Sequence, residues 1–286
     1  MGMVAPVAEM LMYENSYKEI KGDVLFVAHQ DILLTPDRFK SLLSKYNIKP
    51  NSNSHISLEG DSGFISDTSL LSHFNINSID FMDVNSFKGD EIIMDLSHSV
   101  DDKYCNKYDF IFNGSCLDNI FNPANAIINL SKMLKPGGVI LSFEHISSRN
   151  GPYTMCSPGW FFDYYVQNGF ADCVIYVGKF TTHEELYHGP WDLYFHNWYG
   201  DKNGAAPKGN INEDFIAIII AEKGTNTTNK VQPIQHVYRN NQADKDIFEK
   251  NLSDIFNSKR PIYNQSNNKP KQLDKYLIEL GKLGSF

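Results

Sequence analysis

Tyr108-Asp109-Phe110-Ile111-Phe112-Asn113-Gly114-Ser115-Cys116-Leu117-Asp118-Asn119-Ile120 is followed about fifteen residues later by Leu134-Lys135-Pro136-Gly137-Gly138-Val139-Ile140-Leu141. The first apolar run ends in small turn residues, and Pro123 to Leu134 carries a helical pattern. Lys-Pro-Gly-Gly then predicts a sharp reversal into a second apolar strand. Strand, helix and strand in this order make a crossover of a parallel sheet. The loop at the carboxyl edge of its first strand is suited to ligand binding.

The same alternation extends on both sides. Val24 to Val27 predicts a first strand and Pro36 to Tyr46 a helix, with Phe39, Leu42 and Leu43 on one face. Phe64 to Phe74 predicts a short helix with Asp67 as its cap, Ile79 to Asp83 a second strand and Glu91 to Asp95 a third. After Val139 to Phe143, Ser157-Pro158 predicts a capped helix start. Cys173 to Val177 and Phe215 to Ala221 predict the last two strands. The expected fold is α/β: a Rossmann-like, doubly wound, mostly parallel seven-stranded sheet. Residues 1–16 are an N-terminal segment, 17–224 the sheet domain and 181–212 an aromatic insertion within it. Residues 225–286 are a polar linker and a helical C-terminal extension, its helices expected over Ala243 to Phe256 and Gln272 to Leu283.

Composition narrows the function classes. With 26 basic and 34 acidic side chains the formal charge is -8, which repels a phosphate backbone, so nucleic acid is not an expected partner. Cys105, Cys116, Cys156 and Cys173 show no C-x-x-C spacing and no matching histidine pair, so reduced thiols and no metal are expected. His183 and Glu184 lack an i, i+4 partner for a metal. No apolar run reaches the roughly 18 residues of a membrane span, and the amino terminus has no signal-peptide layout. A cytoplasmic enzyme or binding protein is the expectation.

The order and spacing of these segments from about Tyr17 to Phe170 resemble the class I S-adenosylmethionine-dependent methyltransferases, in particular a subgroup found among surface-saccharide genes. In that subgroup the turn after the first strand reads roughly Gly-Arg-Gln; here it is Ala28-His29-Gln30, so Ala28 stands for glycine and Gln30 is retained. The resemblance implies that Asp83, ending the second strand, accepts the ribose hydroxyls of the cofactor, since a carboxylate offers two acceptors to a vicinal diol. Val84 lies beside it, and Asp95 and Leu96 fall near the adenine. The loop after the fourth strand resembles Asp-Gly-Gly-Thr-Leu-Glu-His-Val-Phe. Gly114, Leu117 and Phe121 keep that pattern, while Asn113, Asp118 and Asn119 replace charged or basic residues. Asn113, Gly114 and Leu117 join Ala28, Gln30, Asp83, Val84, Asp95 and Leu96 as cofactor-binding residues, and S-adenosyl-L-methionine is the implied cofactor. Each carboxylate and turn also has a plain structural alternative, as a helix cap or a solvated turn.

Methyl transfer from a sulfonium is an in-line displacement, in which the protein supplies proximity, alignment and, for a hydroxyl acceptor, a base. Glu144, His145, Ser147, Arg149, Asn150 and Tyr153 fall over the carboxyl ends of the fourth and fifth strands. His145 is the candidate base, because a neutral imidazole takes a proton near physiological pH. Asp118 and Arg149 complete the catalytic candidates, Arg149 as a partner for an acceptor phosphate or carboxylate. Where the family carries Gly-His-Gly, this chain has Asn150-Gly151-Pro152. His183, His188 and His196 lie in the insertion, a potential lid, with Trp191 and Trp198 either stacking on the acceptor or anchoring the insertion. The expected activity is O-methylation of a saccharide or other small polar acceptor. The alternative is a methyltransferase-fold protein with altered chemistry that serves as a binding module. A nicotinamide dehydrogenase is disfavoured because no G-x-G-x-x-G follows the first strand. A homodimer through the C-terminal helices stays open.

Overall fold

The computed structural model describes residues 2–148, 151–196, 213–235, 238–263, 271–272 and 277–285. Ahead of the first expected strand, β1 (Gly2–Met3) leads into α1 (Ala5–Tyr17), whose first turn accommodates Pro6. Val7, Met10, Leu11 and Met12 are buried around this helix, and so are Glu9 and Glu14. With no polar face there is no amphipathic period to mark it in the sequence.

Next come β2 (Lys21–Val27), β3 (Asp31–Ile32), α2 (Pro36–Lys45), α3 (Asp67–Leu71), β4 (Asn75–Asp83) and β5 (Ile92–Ile93). Ser66, not Asp67, caps α3 by accepting from the Ser69 N–H. The deciding stretch forms β6 (Tyr108–Gly114), α4 (Pro123–Met133) and β7 (Leu134–Ser147). Leu134 already pairs with Tyr108, so Lys-Pro-Gly-Gly is a kink inside β7 and not a turn before it. Gly137, at φ +80°, provides the bend. The chain continues through α5 (Pro158–Gln167), β8 (Asp172–Phe180), α6 (His183–His188), β9 (Trp191–His196), β10 (Asp214–Glu222), α7 (Gln242–Phe256), β11 (Lys271–Gln272) and β12 (Leu277–Leu283). Ser157 caps α5 as expected, accepting from Trp160 N–H.

Among the described residues the main sheet has ten strands in the order β11-β12-β9-β8-β10-β7-β6-β2-β4-β5. From β7 to β5 all pairs are parallel, and from β7 to β11 all are antiparallel. In chain order the parallel half reads third, second, first, fourth, fifth. Its direction of winding therefore reverses between β2 and β6, and at such a reversal the carboxyl ends of the strands leave a crevice. Phe26, Phe112, Leu141, Ile216 and Ile218 face one side with α1 and α2, while Leu25, Ile111, Ile140, Ala217 and Ile219 face the other with α4, α5 and α7. Central strands covered on both faces read as unbroken apolar runs.

Two expectations need correction. The sheet has ten strands instead of seven, because β9 from the aromatic insertion and β11 and β12 from the C-terminal extension extend its antiparallel edge. The extension is also not wholly helical: α7 forms where a helix was expected, but Leu277–Leu283 is a strand. A bulge between Glu279 and Gly281 shifts the register of β12 on β9. It brings Leu280 and Leu283, three residues apart, into the same core, so the spacing imitates a helix.

Candidate functional site

β2 leads directly into Ala28, which has φ +64°. An L-residue pays roughly 1–2 kcal/mol there, which is why glycine is favoured at such a turn. The Ala28 N–H holds the turn by donating to Met82 O of β4 at 2.8 Å. Gln30 is buried, its Nε2 donating to Val27 O and Ala28 O at 3.2 and 3.3 Å. A Cβ on Gly114 would lie 2.5 Å from Gln30 Oε1, so Gly114 is glycine because the Gln30 amide packs on its Cα. Gln30 Oε1 and the adjacent Asn113 Oδ1 are both buried without a hydrogen-bond partner. His29 stacks on Phe81 at 3.7 Å, and its nitrogens lie 2.6 Å from Asp67 and 2.9 Å from Asp90.

Asp83 closes β4, half-buried, and its Oδ1 accepts from Asn85 N–H at 3.1 Å. Around it, Val84, Ile93 and Phe87 are 55%, 56% and 73% exposed, an uncovered apolar patch beside a carboxylate. The loop that follows folds around Glu91, which accepts the N–H groups of Phe87, Lys88 and Gly89. These bonds, the one from Lys88 foremost, hold its carboxyl down to about 2. Asp95 uses its oxygens within its own turn, on Ser97 N–H and His98 Nδ1. Leu96 is buried, its carbonyl accepting from Asn129 Nδ2. His29, Asp90 and Glu91 bring ligand-type atoms within 4.8 Å of one another, but the hydrogen bonds just described already occupy them.

Across the crevice, at the carboxyl ends of β6 and β7, a buried polar chain leads to His145. Glu144 is 1% exposed. Its Oε1 accepts from Asn113 Nδ2 at 2.5 Å and Leu117 N–H at 3.3 Å, and its Oε2 accepts from Asp118 N–H at 3.1 Å. Asp118 Oδ2 accepts from Ser115 Oγ at 2.5 Å and faces His145 Nδ1 at 2.9 Å, while Oδ1 accepts from Asn119 Nδ2. Ser115, at φ +57°, reaches this position because the chain turns left-handed after Gly114. Sequence reasoning did not pick out Ser115; its only signal was a small residue between a glycine and the helical turn. The thiol of Cys116 is raised well above its ordinary value, first by burial and then by Glu144, which makes it a poor nucleophile.

Burial, followed by the nearby Asp118 charge, pushes the Glu144 carboxyl well above the ordinary glutamate range. The unfolded chain ionises this group near pH 4.3, and the folded chain does so only at higher pH. The stability it contributes is therefore complete below that pH and lost as pH rises through the folded value, at up to about 1.4 kcal/mol per pH unit. Glu144→Gln is expected to flatten this fall in denaturant titrations run upward in pH from the ordinary glutamate range. The glutamine fits if the Asn113 amide turns over to present its partnerless oxygen, giving up only the long bond from Leu117. An unchanged slope in the variant would show that Glu144 ionises normally.

His145 stands between two clefts. One, of about 330 Å³, is lined by Ser115, Asn119, Phe143, Pro152 and Ile216 among others. The other, of about 370 Å³, is lined by Ser148, Phe180, His183 and Asp214. Leu186 and Tyr187 of α6 wall both. Trp191 is an anchor: it is fully buried, and a Cβ on Gly178 would meet its ring at 2.4 Å. His196 is buried as well. Arg149, Asn150 and Trp198 lie outside the described residues. The structure thus brings His145 and Asp118 together beside Asn113 and Leu117, and sets Gln30 against both Ala28 and Gly114. Asp83 and Val84 lie across the crevice, and Asp95 with Leu96 lies farther along the same edge, past β5.

No protein-family model matches the sequence, and no curated protein matches it. Among solved structures it is similar to the CMeT domain of the citrinin polyketide synthase, at 10% identity over 76% of this chain and 52% of that one, with a TM-score of 0.39. A SAM-dependent methyltransferase of Thermotoga maritima, described as a possible histamine N-methyltransferase, matches at 11% identity over 77% and 90% of the two chains, with a TM-score of 0.37. The 1,6-didemethyltoxoflavin-N1-methyltransferase of Burkholderia thailandensis, with bound S-adenosylhomocysteine, matches at 8% identity over 76% of each chain, with a TM-score of 0.34. The chain spans about half the length of the polyketide synthase structure. At this level of overlap, function has to be sought in the chain's own geometry. Among the described residues no helix is long and apolar enough to cross a membrane.

Proposed function

We propose that this protein is an S-adenosylmethionine-dependent methyltransferase that acts on a hydroxyl of a small polar, saccharide-like acceptor. One observation carries the reading: Asp83 and the Asp118–His145 pair stand on the same edge of the sheet, on opposite sides of the reversal between β2 and β6. β4, which ends in Asp83, and β7, which carries His145, are three positions apart, or roughly 14 Å at ordinary strand spacing. That is room for a nucleoside at one end and a reacting group at the other.

The residues present suit the cofactor. Asp83 keeps one carboxylate oxygen clear of hydrogen bonds among the described residues, as a ribose diol needs. Val84 and Ile93 offer uncovered apolar surface to a flat base. Gln30 Oε1 and Asn113 Oδ1, buried acceptors without donors, suit the ammonium of a methionine moiety. Bound cofactor would supply a methyl group on a sulfonium. The chain's part is proton handling and alignment. When His145 Nδ1–H donates to Asp118, Nε2 is left to take the acceptor's proton. The bonds from Ser115 and Asn119 keep Asp118 pointed at the ring. Hydrogen-bonded to the ring, Asp118 stabilises the imidazolium that forms.

Calorimetric titration with S-adenosylhomocysteine tests the reading. Wild-type protein is expected to bind it, and Asp83→Ala to weaken binding about 10- to 150-fold, the value of losing a charge-assisted hydrogen bond. No heat of binding at millimolar nucleoside would end the assignment.

A further inference from the structure

If the chain transfers a methyl group as proposed, the two clefts at His145 divide the work between cofactor and acceptor. The first contains Ser115 and Asn119, which follow β6. The second is lined by Asp214 of β10 and by α6, and shares His145, Leu186 and Tyr187 with the first. An in-line displacement needs the attacking oxygen and the leaving sulfur on opposite sides of the carbon. With the methyl donor in the first cleft, the adjoining second cleft is the one left for the acceptor.

From that cleft we infer the acceptor's chemical class: a neutral, polyhydroxylated ring held by Asp214. Asp214 opens β10, paired with Phe180 of β8, and is half-buried at the cleft wall. Among the described residues its carboxylate makes no hydrogen bond, and neither do the side chains of Ser148 and His183 on the same cleft. A carboxylate, a hydroxyl and an imidazole together offer both acceptors and donors, which is what a set of hydroxyl groups requires. Phe180, Leu186 and Tyr187 supply the apolar surface against which the C–H face of a ring packs. The Asp214 carboxylate at the cleft wall disfavours an anionic acceptor by like-charge repulsion. A volume of about 370 Å³ is within the range of small-ligand sites.

Saturation-transfer NMR on the full chain tests this, with methyl α-D-glucopyranoside and methyl α-L-rhamnopyranoside as probes and ethanolamine and citrate as the cationic and anionic comparisons, each with and without S-adenosylhomocysteine. At least one glycoside is expected to receive saturation. Its affinity is expected to drop about tenfold or more in Asp214→Asn, which removes the charge at constant shape. His183→Ala, on the exposed helix opposite, is expected to weaken the same probe and keeps the test open should β10 tolerate no change. Absence of glycoside signal in the wild type, undiminished signal in both variants, or preference for ethanolamine or citrate would overturn the inference. Glycoside binding without any S-adenosylhomocysteine binding would instead leave Asp214 as a sugar contact and remove the methyl-transfer reading.

Discussion

His145→Ala is expected to slow methyl transfer to a hydroxyl acceptor by about 10²- to 10⁴-fold, the usual value of a positioned general base, with S-adenosylhomocysteine affinity nearly unchanged. The variant removes the ring whose Nδ1 faces Asp118 at 2.9 Å and leaves the nucleoside crevice intact. Asp118→Asn separates positioning from mere packing. The amide keeps the volume but offers one oxygen where the carboxylate serves Ser115, Asn119 and His145 with two, so the imidazole loses its orientation and its counter-charge. A lower kcat at unchanged cofactor affinity is the expected pattern. Full activity of the alanine variant across the pH range would show that proton removal is done elsewhere.

The largest effect on stability is expected at Arg260. This buried guanidinium joins two parts of the chain, donating to Glu14 of α1 at 2.6 Å through one nitrogen and to Asp172 at the start of β8 through another. Burial opposes its charge, but Glu14 and Asp172 more than compensate and raise its pKa above the ordinary arginine value. Arg260→Ala leaves two carboxylates, each under 5% exposed, without a counter-ion. That is expected to cost about 3–5 kcal/mol, seen as a lower denaturant midpoint. Adding Glu14→Gln and Asp172→Asn to the alanine variant should recover much of the loss, because the penalty belongs to the stranded charges. If the triple variant is no more stable than the single one, packing of the arginine stem is what matters.

The parallel half of the sheet was legible because its strands are buried on both faces and write themselves as apolar runs between turn residues. Phe110-Ile111-Phe112 and Val139-Ile140-Leu141 could hardly be anything else. The antiparallel edge was hidden for a physical reason. β9 carries its aromatic residues as core, with Trp191 beneath Gly178, and a bulge gives β12 a helical spacing. α1 was missed because its buried glutamates look like surface residues until their partners are known. At the site, His145 and Asp118 were marked as reactive types near strand ends, and their contact follows from the pairing of β6 with β7. Ser115 and Asp214 had no such mark: one depends on a left-handed backbone, the other on which residues a short helix happens to face.

Glu9 accepts hydrogen bonds from Tyr263 Oη and Gly284 N–H, so an early turn of the first helix is completed by residues made some 250 positions later. Lys45 and Tyr46, at the end of α2, supply partners for that carboxylate early in synthesis, and Tyr263 and Gly284 complete its shell last. The core on that face of the sheet stays open until the last strand has left the ribosome. Chains stalled before that point expose a sticky, half-finished surface, and they are the natural clients of holdases and proteases.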